Sequence, residues 1–433
     1  MIVPVFLLLT VPALALLAAV HWYVWRRLVR DLTVPRGTAR RAGTAAVIVL
    51  PLLSLGAFGA GQTGAPFLLQ QVLAWPGYLW TALLLYLVLA LVVGEAVRPL
   101  LLRAPGGRSQ HRPQERRTRP QEGAGPVVGL PAAETPAETP AQGPAEAGEE
   151  SAEDRRAAGP PRRLFVSRVV GGAAAATAVG VVGHGAWGVL RGPTVKRVTV
   201  PLAKLPRSAH GYRIAVVSDI HLGPVLGRAH TQRVVDAVNA TQPDLVAIVG
   251  DLVDGSVADL GGATEPLARL RSRDGSYFVT GNHEYYSGVG QWVERVRDLG
   301  VHPLRNERVE IAGFVLAGVN DITGEDYHDA PDYDRALGDR DRSLAAVLLA
   351  HQPVMVHEAV RHGVDLQLSG HTHGGQLWPG NLVAALSNPT VAGLDRYGDT
   401  QLYVSRGAGA WGPPVRVGAP ADITVVQLAS RQT

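Results

Sequence analysis

The chain of 433 residues contains no cysteine, which excludes a disulfide, a thiolate nucleophile and any cysteine-based zinc or iron–sulfur site. A metal would have to be held by imidazole, carboxylate, carboxamide or water. This absence does not choose between reducing and oxidising compartments. Strong net charge is also lacking. The formal balance is +4, and the arginines crowd at segment boundaries instead of forming a basic face interleaved with aromatics. No nucleic-acid partner is expected on that pattern. Charge is absent again from three long stretches, residues 2–25, about 45–61 and about 72–93. Soluble core helices carry a polar stripe, and these do not. They are expected to cross a hydrocarbon layer of roughly 30 Å, where Pro51 and the glycines of the second stretch are tolerated.

The flanks of these stretches set an expected orientation. Arg26, Arg27, Arg30, Arg36, Arg40 and Arg41 follow the first, and Arg98, Arg103, Arg108, Arg112, Arg116, Arg117 and Arg119 follow the third. The short connection Gly61–Pro66 has no charge. By the positive-inside rule the arginine-rich segments are cytoplasmic and the N-terminus faces out. Trp22, Tyr23 and Trp25 sit where an interfacial aromatic belt belongs.

Residues 1–103 thus read as a membrane region. Residues 104–161 are rich in Pro, Ala, Glu, Gly and Arg and include a short Ala-Glu-Thr-Pro repeat. They read as a disordered cytoplasmic linker, because such a composition buries too little apolar surface to offset chain entropy. Residues 162–192 hold a fourth apolar stretch, from Leu164 to Leu190, introduced by Arg162-Arg163-Leu164-Phe165. Two readings stand for it. One is an ordinary membrane helix with two cytoplasmic arginines. The other is a twin-arginine signal anchor handled by the twin-arginine export machinery. Either way an even number of spans places residues 193–433 outside the cytoplasm, at a cell membrane.

From Val195 onward, short β-branched runs end in Gly, Asp, Asn or His and alternate with amphipathic segments. Strands are expected at Arg213–Ser218, Asp244–Val249, Tyr277–Val279, Phe314–Val319, Ala345–Leu349 and Leu366–Leu368. Helices are expected at Thr231–Asn239, Glu265–Ser272 and Gln291–Leu299. The alternation predicts an α/β layered fold, either a central mixed sheet or two stacked sheets (a β-sandwich), flanked by helices. Each polar cluster stands just past a strand, where ligands bind in layered α/β folds. The clusters are Asp219-Ile-His221, Gly250-Asp251, Gly281-Asn282-His283-Glu284, Asn320-Asp321, His351 and Gly370-His371-Thr-His373. Two divalent ions roughly 3.5–4 Å apart can hold both the attacking and the departing oxygen of a phosphoryl transfer. A carboxylate between them is needed to offset their repulsion. An imidazole, carboxylate and amide shell without sulfur suits Mn, Fe, Zn or Co.

Apart from Asn320-Asp321, these segments, together with Asp254, His221-Leu-Gly223, Gly374-Gly375-Gln376, Ser405-Arg406-Gly407 and Trp411-Gly412-Pro413-Pro414-Val-Arg416, resemble the calcineurin-like metallophosphoesterase family. The likeness runs in order over about residues 210–428 and includes details of its membrane-associated bacterial branch of the YkuE and YaeI type. The resemblance implies a dinuclear centre. Asp219, His221 and His373 would hold one ion, Asn282, His351 and His371 the other, and Asp251 would bridge them. His283 would face the phosphate, stabilising charge or protonating the leaving oxygen, and a hydroxide shared by the ions would be the nucleophile. Asp254 reads as a residue behind the ligands. Glu284 either orients His283 or caps the next turn. Arg406 and Trp411 are candidate substrate contacts, with a salt bridge and a core aromatic as the bland alternatives, and Tyr285 and Tyr286 are candidate pocket walls. His210, His230, His302, His328, His357 and His362 lack matching partners and read as surface or core residues.

The expectation is a phosphodiesterase, with a phosphomonoesterase on the same centre as runner-up. A non-catalytic receptor or scaffold would have lost ligands, and none is missing. A transporter would place ionisable groups inside the membrane, whereas His21 and Glu95 lie near the ends of their stretches. Tethering at the outer face suggests a phospholipid or a cell-envelope phosphate as substrate.

Overall fold

A computed structural model describes residues 2–103, 162–311 and 313–431. The expected linker, residues 104–161, lies outside the described residues. Four long helices come first: α1 (Ile2–Val24), α2 (Thr38–Gln62), α3 (Phe67–Arg103) and α4 (Arg162–Leu190). Among the described residues three helical stretches are long and apolar enough to cross a membrane: Thr38–Gln62, Phe67–Arg103 and Leu164–Leu190. The expected first run forms α1, which continues into one wider helical turn at Trp25–Arg30.

Lipid tails are as apolar as leucine, so such helices associate through close packing and hydrogen bonds rather than through burial from water. Gly77 of α3 lies so close to α2 that a Cβ there would stand 2.5 Å from Leu53 O and 2.8 Å from Ala57 Cβ. Ser54 Oγ donates to Gly77 O at 2.7 Å across the same contact. Ala174 and Ala178 of α4 pack with Trp80, Tyr86, Leu87 and Leu91 of α3. Glu95 takes Arg27 at 2.8 Å and Arg98 at 3.5 Å, so the acid near the end of α3 is paired.

Two six-stranded mixed sheets follow. The first has the order β1-β12-β2-β3-β4-β5, and the second β10-β11-β9-β8-β7-β6. In the first, β1 (Thr194–Leu202) pairs in parallel with the last strand, β12 (Asp422–Ser430). β12 then runs antiparallel to β2 (Arg213–Val217), and β3 (Leu245–Val249), β4 (Ser276–Val279) and β5 (His302–Pro303) continue in parallel. In the second, β6 (Glu307–Ile311) is antiparallel to β7 (Phe314–Gly318). β8 (Ala345–Leu349), β9 (Leu366–Ser369) and β11 (Thr400–Val404) extend it in parallel, and β10 (Gly393–Tyr397) closes the edge.

Strand side chains alternate between faces, and the inner strands β2, β3, β7 and β8 are buried almost throughout on both. Ile214, Val216, Leu245, Ala247, Phe314, Leu316, Val347 and Leu366 fill the layer between the sheets. Ala215, Val217, Val246 and Ile248 face outward against Val234, Val235 and Val238 of α5 (Arg228–Ala240). Trp292 and Val296 of α8 (Val289–Asp298) join that layer. On the far side Ala317 and Leu348 meet Ala336 and Leu337 of α9 (Tyr333–Leu337) and Ala359 of α10 (Val356–Arg361). Each fully buried Leu, Ile or Phe contributes about 1.5–3 kcal/mol. Of the two sheet arrangements left open by the sequence, the stacked pair is present.

One expected element is corrected. The α-helix at Glu265–Ser272 is a short 3-10 turn, Glu265–Arg269. The α-helix lies before it, α6 (Val257–Thr264), where Ser256 accepts a hydrogen bond from Asp259 N and caps the start. Pro266 stands in the first turn of the 3-10 segment, and its missing N–H prevents an unbroken helix across the junction.

Candidate metal centre

The C-terminal ends of β2, β3 and β4 in one sheet and of β8 and β9 in the other converge, and every candidate ligand follows one of them. Asp219 and His221 follow β2, Asp251 follows β3, Asn282 opens α7 (Asn282–Tyr286) after β4, His351 follows β8, and His371 and His373 follow β9. The backbone turns sharply at each exit. Asp219, His221, Asp251, His371 and His373 all have φ between 48° and 71°, a left-handed conformation that costs a non-glycine residue of order 1–3 kcal/mol. Neighbouring glycines make room. A Cβ on Gly370 would collide with Ser218 Oγ and the Asp219 carboxylate, and one on Gly281 would collide with Asp251 Oδ1.

Asp251 is the centre of the arrangement. Its Oδ2 lies 3.1 Å from His351 Nε2 and 3.7 Å from His221 Nε2, and its Oδ1 accepts from His283 N at 2.9 Å. One carboxylate oxygen is therefore shared between the two candidate halves. On one side, Asp219 Oδ1 lies 3.5 Å from His373 Nε2 and 4.0 Å from His221 Nε2, and the two Nε2 atoms face each other at 3.0 Å. On the other side, His371 Nδ1 is 3.0 Å from Asn282 Oδ1. Ligand atoms of Asp219, His221 and His373 cluster tightly enough to hold one cation, and those of Asp251, His351 and His371 another.

The donor set fits cations on two further observations. His351 Nδ1 is 2.9 Å from Val249 O; its N–H donates there, which turns Nε2 toward the centre. That Nε2 is fully buried and lies off the line of a hydrogen bond to Asp251, without a partner. Burial holds His371 down to about 4, with His351 beside it adding to the effect. Burial, His221 and Arg416 likewise hold His373 well below the usual histidine value. Both rings are neutral at pH 7, as metal ligands must be. Burial opposes the charge on Asp251, but the neighbouring His351 and His221 outweigh it and keep the carboxyl ionised, well below its ordinary range.

A second carboxylate lies behind the ligands. Asp254 Oδ1 is 2.8 Å from His221 Nδ1 and 2.7 Å from His283 Nδ1, so it accepts from both imidazoles at once. The three groups are close enough to be a cation site themselves, but the two ring hydrogens already fill that space. Burial would raise Asp254, yet His221 and the two hydrogen bonds bring it down to about 2. Burial would lower His283, yet the hydrogen bond to Asp254 and its charge push it up to about 9.

Glu284, which the sequence left between two roles, holds backbone. Its carboxylate accepts from Gly281 N at 2.6 Å, Asp251 N at 3.0 Å and Leu252 N at 2.8 Å, which ties the β3 and β4 exits together. Arg416 carried no role in the sequence reading beyond membership of a motif. Its buried guanidinium donates to Gly409 O at 2.6 Å, to His373 O and Ala419 O at 3.1 Å, and to His373 Nδ1 at 2.9 Å. A buried arginine with four acceptors around a ligand loop has no local sequence signal, because those acceptors are backbone carbonyls and a distant ring.

The candidate substrate contacts divide. The Trp411 ring is half exposed, with its centroid 6.0 Å from that of His283 and 6.2 Å from Phe58 of α2; it is a rim residue. Arg406 packs its methylenes beside Gly374, next to the His371–His373 turn. Tyr286 is exposed, 5.5 Å from His283. Tyr285 is not a pocket wall: it is buried, and its hydroxyl donates to Asp329 Oδ2 at 2.9 Å. Of the other histidines, His230 is buried in the core and His362 stacks on Tyr333.

Residues 212–375 match the family model of the calcineurin-like phosphoesterases. A metallophosphoesterase of Aquifex aeolicus is 36% identical over 242 residues, which cover 55% of this chain and 92% of that protein. The chain belongs to the calcineurin-like metallophosphoesterase family. The three His/Asp clusters that could hold a metal ion all lie within the matched residues. A transmembrane protein with a metallophosphoesterase domain from Danio rerio is 38% identical over 292 residues, 64% of this chain and 65% of that protein. The metallophosphoesterase YkuE of Bacillus subtilis is 28% identical over 283 residues, 62% and 98% respectively. The chain thus spans slightly less than two thirds of the length of the Danio rerio protein, and nearly all of the two bacterial ones.

Proposed function

We propose that the protein is a membrane-anchored, dinuclear phosphodiesterase whose residues 193–433 form the catalytic domain, acting outside the cytoplasm on a phospholipid or another cell-envelope phosphoester. The observation that carries the dinuclear reading is the position of Asp251 Oδ2 between His221 Nε2 and His351 Nε2.

Asp219, His221 and His373 would hold one ion, Asn282, His351 and His371 the second, and Asp251 would serve both. Two divalent ions there would acidify a water and neutralise charge on the phosphoryl oxygens. The chain supplies the rest. Asp254 takes the Nδ1 hydrogen of His283, which leaves Nε2 free to donate to the leaving oxygen. The same carboxylate orients His221 through its Nδ1, so ligand and acid are aligned by one group. Glu284 and the left-handed exits hold these side chains before substrate arrives, which is where the strain becomes useful.

Two observations support a diester with an apolar part. The rim beside His283 is aromatic, formed by Tyr286, Trp411 and, from α2, Phe58. Such a wall suits a singly charged phosphoryl group with an apolar substituent better than a dianionic monoester. Phe58 also belongs to an apolar helix, so the rim is continuous with the anchor. The arginine-rich flanks of the first and third apolar runs support the outward orientation.

The test is metal analysis of the purified full chain together with a substrate panel of bis-p-nitrophenyl phosphate, p-nitrophenyl phosphate and labelled phospholipid. Two bound ions per chain, with diester turnover abolished by chelation and restored by metal, are expected. Turnover undiminished in the metal-free chain, or hydrolysis of the monoester alone, would overturn the proposal.

A further inference from the structure

The ligand turn runs within a few residues into a segment with an unusual surface. From Gly374 to Leu394 the chain has no Asp, Glu, Lys or Arg. Within it, helix α11 (Gly380–Ser387) has no buried residue. Leu382, Val383 and Leu386 project from it with 63%, 67% and 86% exposure, and Trp378 just before it is 54% exposed. With 3.6 residues per turn, positions 382, 383 and 386 share one face. A soluble protein seldom leaves such a face to water without a partner.

The surroundings identify what covers it. Tyr86 Oη of α3 donates to Trp378 O at 3.0 Å. Leu377 and Val417 pack into the cluster formed by Trp80, Tyr86 and Leu87 of α3 and Val182 of α4. The root of α11 is therefore fastened to the apolar helices. The link to the metal centre is stiff. Gly375 packs so tightly against Gly380 and Asn381 that a Cβ there would collide with the Asn381 backbone. The turn is closed by Leu377 N donating to Gly375 O at 2.5 Å and Gly380 N to Leu377 O at 2.6 Å.

We propose that α11 is an interfacial helix that inserts Trp378, Leu382, Val383 and Leu386 into the surface of a phospholipid bilayer and so seats the metal centre against the lipid headgroups. An apolar helical face flanked by tryptophan and lying beside spanning helices has the chemistry of the headgroup–acyl boundary. The occupant is lipid rather than a second protein because the face is unbroken by charge and adjoins helices that are themselves lipid-facing. The role stands apart from the reaction chosen above, since it concerns where the domain rests.

The absence of cysteine gives a clean test. In the full chain, Leu386→Cys, labelled with a fluorescent bimane, is placed in nanodiscs of phosphatidylethanolamine and phosphatidylglycerol. Val92→Cys on the exposed side of α3 serves as the lipid reference and Asp339→Cys, on the solvent side of the sandwich, as the water reference. Nitroxide-labelled lipid is expected to quench the Leu386 label as it quenches the Val92 label, while iodide leaves it bright. Quenching by iodide in the manner of the Asp339 label would overturn the proposal. Protection from both quenchers, the mark of a protein surface covering the helix, would overturn it too.

Discussion

The apolar helices and the sandwich both use glycine to bring backbone close, but to different ends. Gly77 removes a side chain so that α3 can rest on α2, and what approaches is Leu53 O and Ala57 Cβ. Gly370 removes one so that β9 can end beside β2, and what approaches is the Ser218 hydroxyl and the Asp219 carboxylate. In the bundle close approach is the stabilising interaction, since there is little water to escape. In the sandwich, hydrophobic burial between and outside the sheets supplies the stability, and close approach is used at the strand ends to crowd polar groups. The two regions should therefore fail differently when their small residues and polar groups are changed.

The largest effect is expected where the polar crowding is greatest. Asp251→Asn removes the charge shared by the two halves of the site. Loss of several kcal/mol of transition-state stabilisation corresponds to a fall in kcat of about a thousandfold or more. Circular dichroism should be unchanged, and bound metal should drop below two ions per chain. Gly370→Ala comes next, because the new methyl must displace Asp219 or Ser218. Overpacking of this kind costs about 1–3 kcal/mol of stability. The activity loss should exceed what the shift in Tm explains, since the displaced group is a candidate ligand.

That contrast also explains what could be read without coordinates. The convergence of the candidate ligands was legible because each member stands just past a strand, and the ends of β2, β3 and β4 in one sheet face those of β8 and β9 in the other. Helix α5 was legible from Val234, Val235 and Val238. The position of α6 was not: Ser256 caps a helix whose interior, Leu-Gly-Gly-Ala, has little periodicity, while Glu265–Ser272 has the stronger pattern but contains Pro266. The pairing of β1 with β12 joins the two ends of the sandwich, and no local pattern encodes so distant a partner. Arg416 was missed for the same reason, 43 positions beyond the ring it holds. Asp254 and Glu284 were visible as residues, but their roles depended on which atoms they face, and only three dimensions supply that.

A middle-sized effect should follow from Asp254→Asn, which keeps shape but removes the negative charge between His221 and His283. Losing a group that orients a ligand typically costs 10–100-fold in metal affinity or activity. The pH profile separates this from mere loosening. In the wild type, the hydrogen bond and charge of Asp254 outweigh burial and hold His283 at about 9, so the imidazolium persists above neutral pH. Without that charge the ring loses its proton at lower pH. Bound cations lower both values and leave the difference in place. The alkaline limb of kcat should therefore move to lower pH in the variant, and an unmoved limb would remove His283 from the role of acid.

The smallest effect on chemistry is expected from Gly77→Ala, although its contact is also too tight to admit a methyl group. The added methyl would stand 2.5 Å from Leu53 O, so α2 and α3 must part, at an overpacking cost of about 1–3 kcal/mol. That cost falls on helix association and on the Ser54–Gly77 hydrogen bond, none of which touches the ligands. Turnover of a soluble chromogenic diester should stay within about twofold, a difference of under 1 kcal/mol, while the Tm of the full chain in detergent falls. The one path from this contact to the site runs through Phe58, one residue beyond Ala57, to Trp411. A lipid diester that uses that rim should feel the change more than the soluble one. If both substrates lose activity equally and strongly, the division between an anchoring bundle and a self-sufficient site is wrong, and α2 and α3 must be counted as part of the catalytic framework.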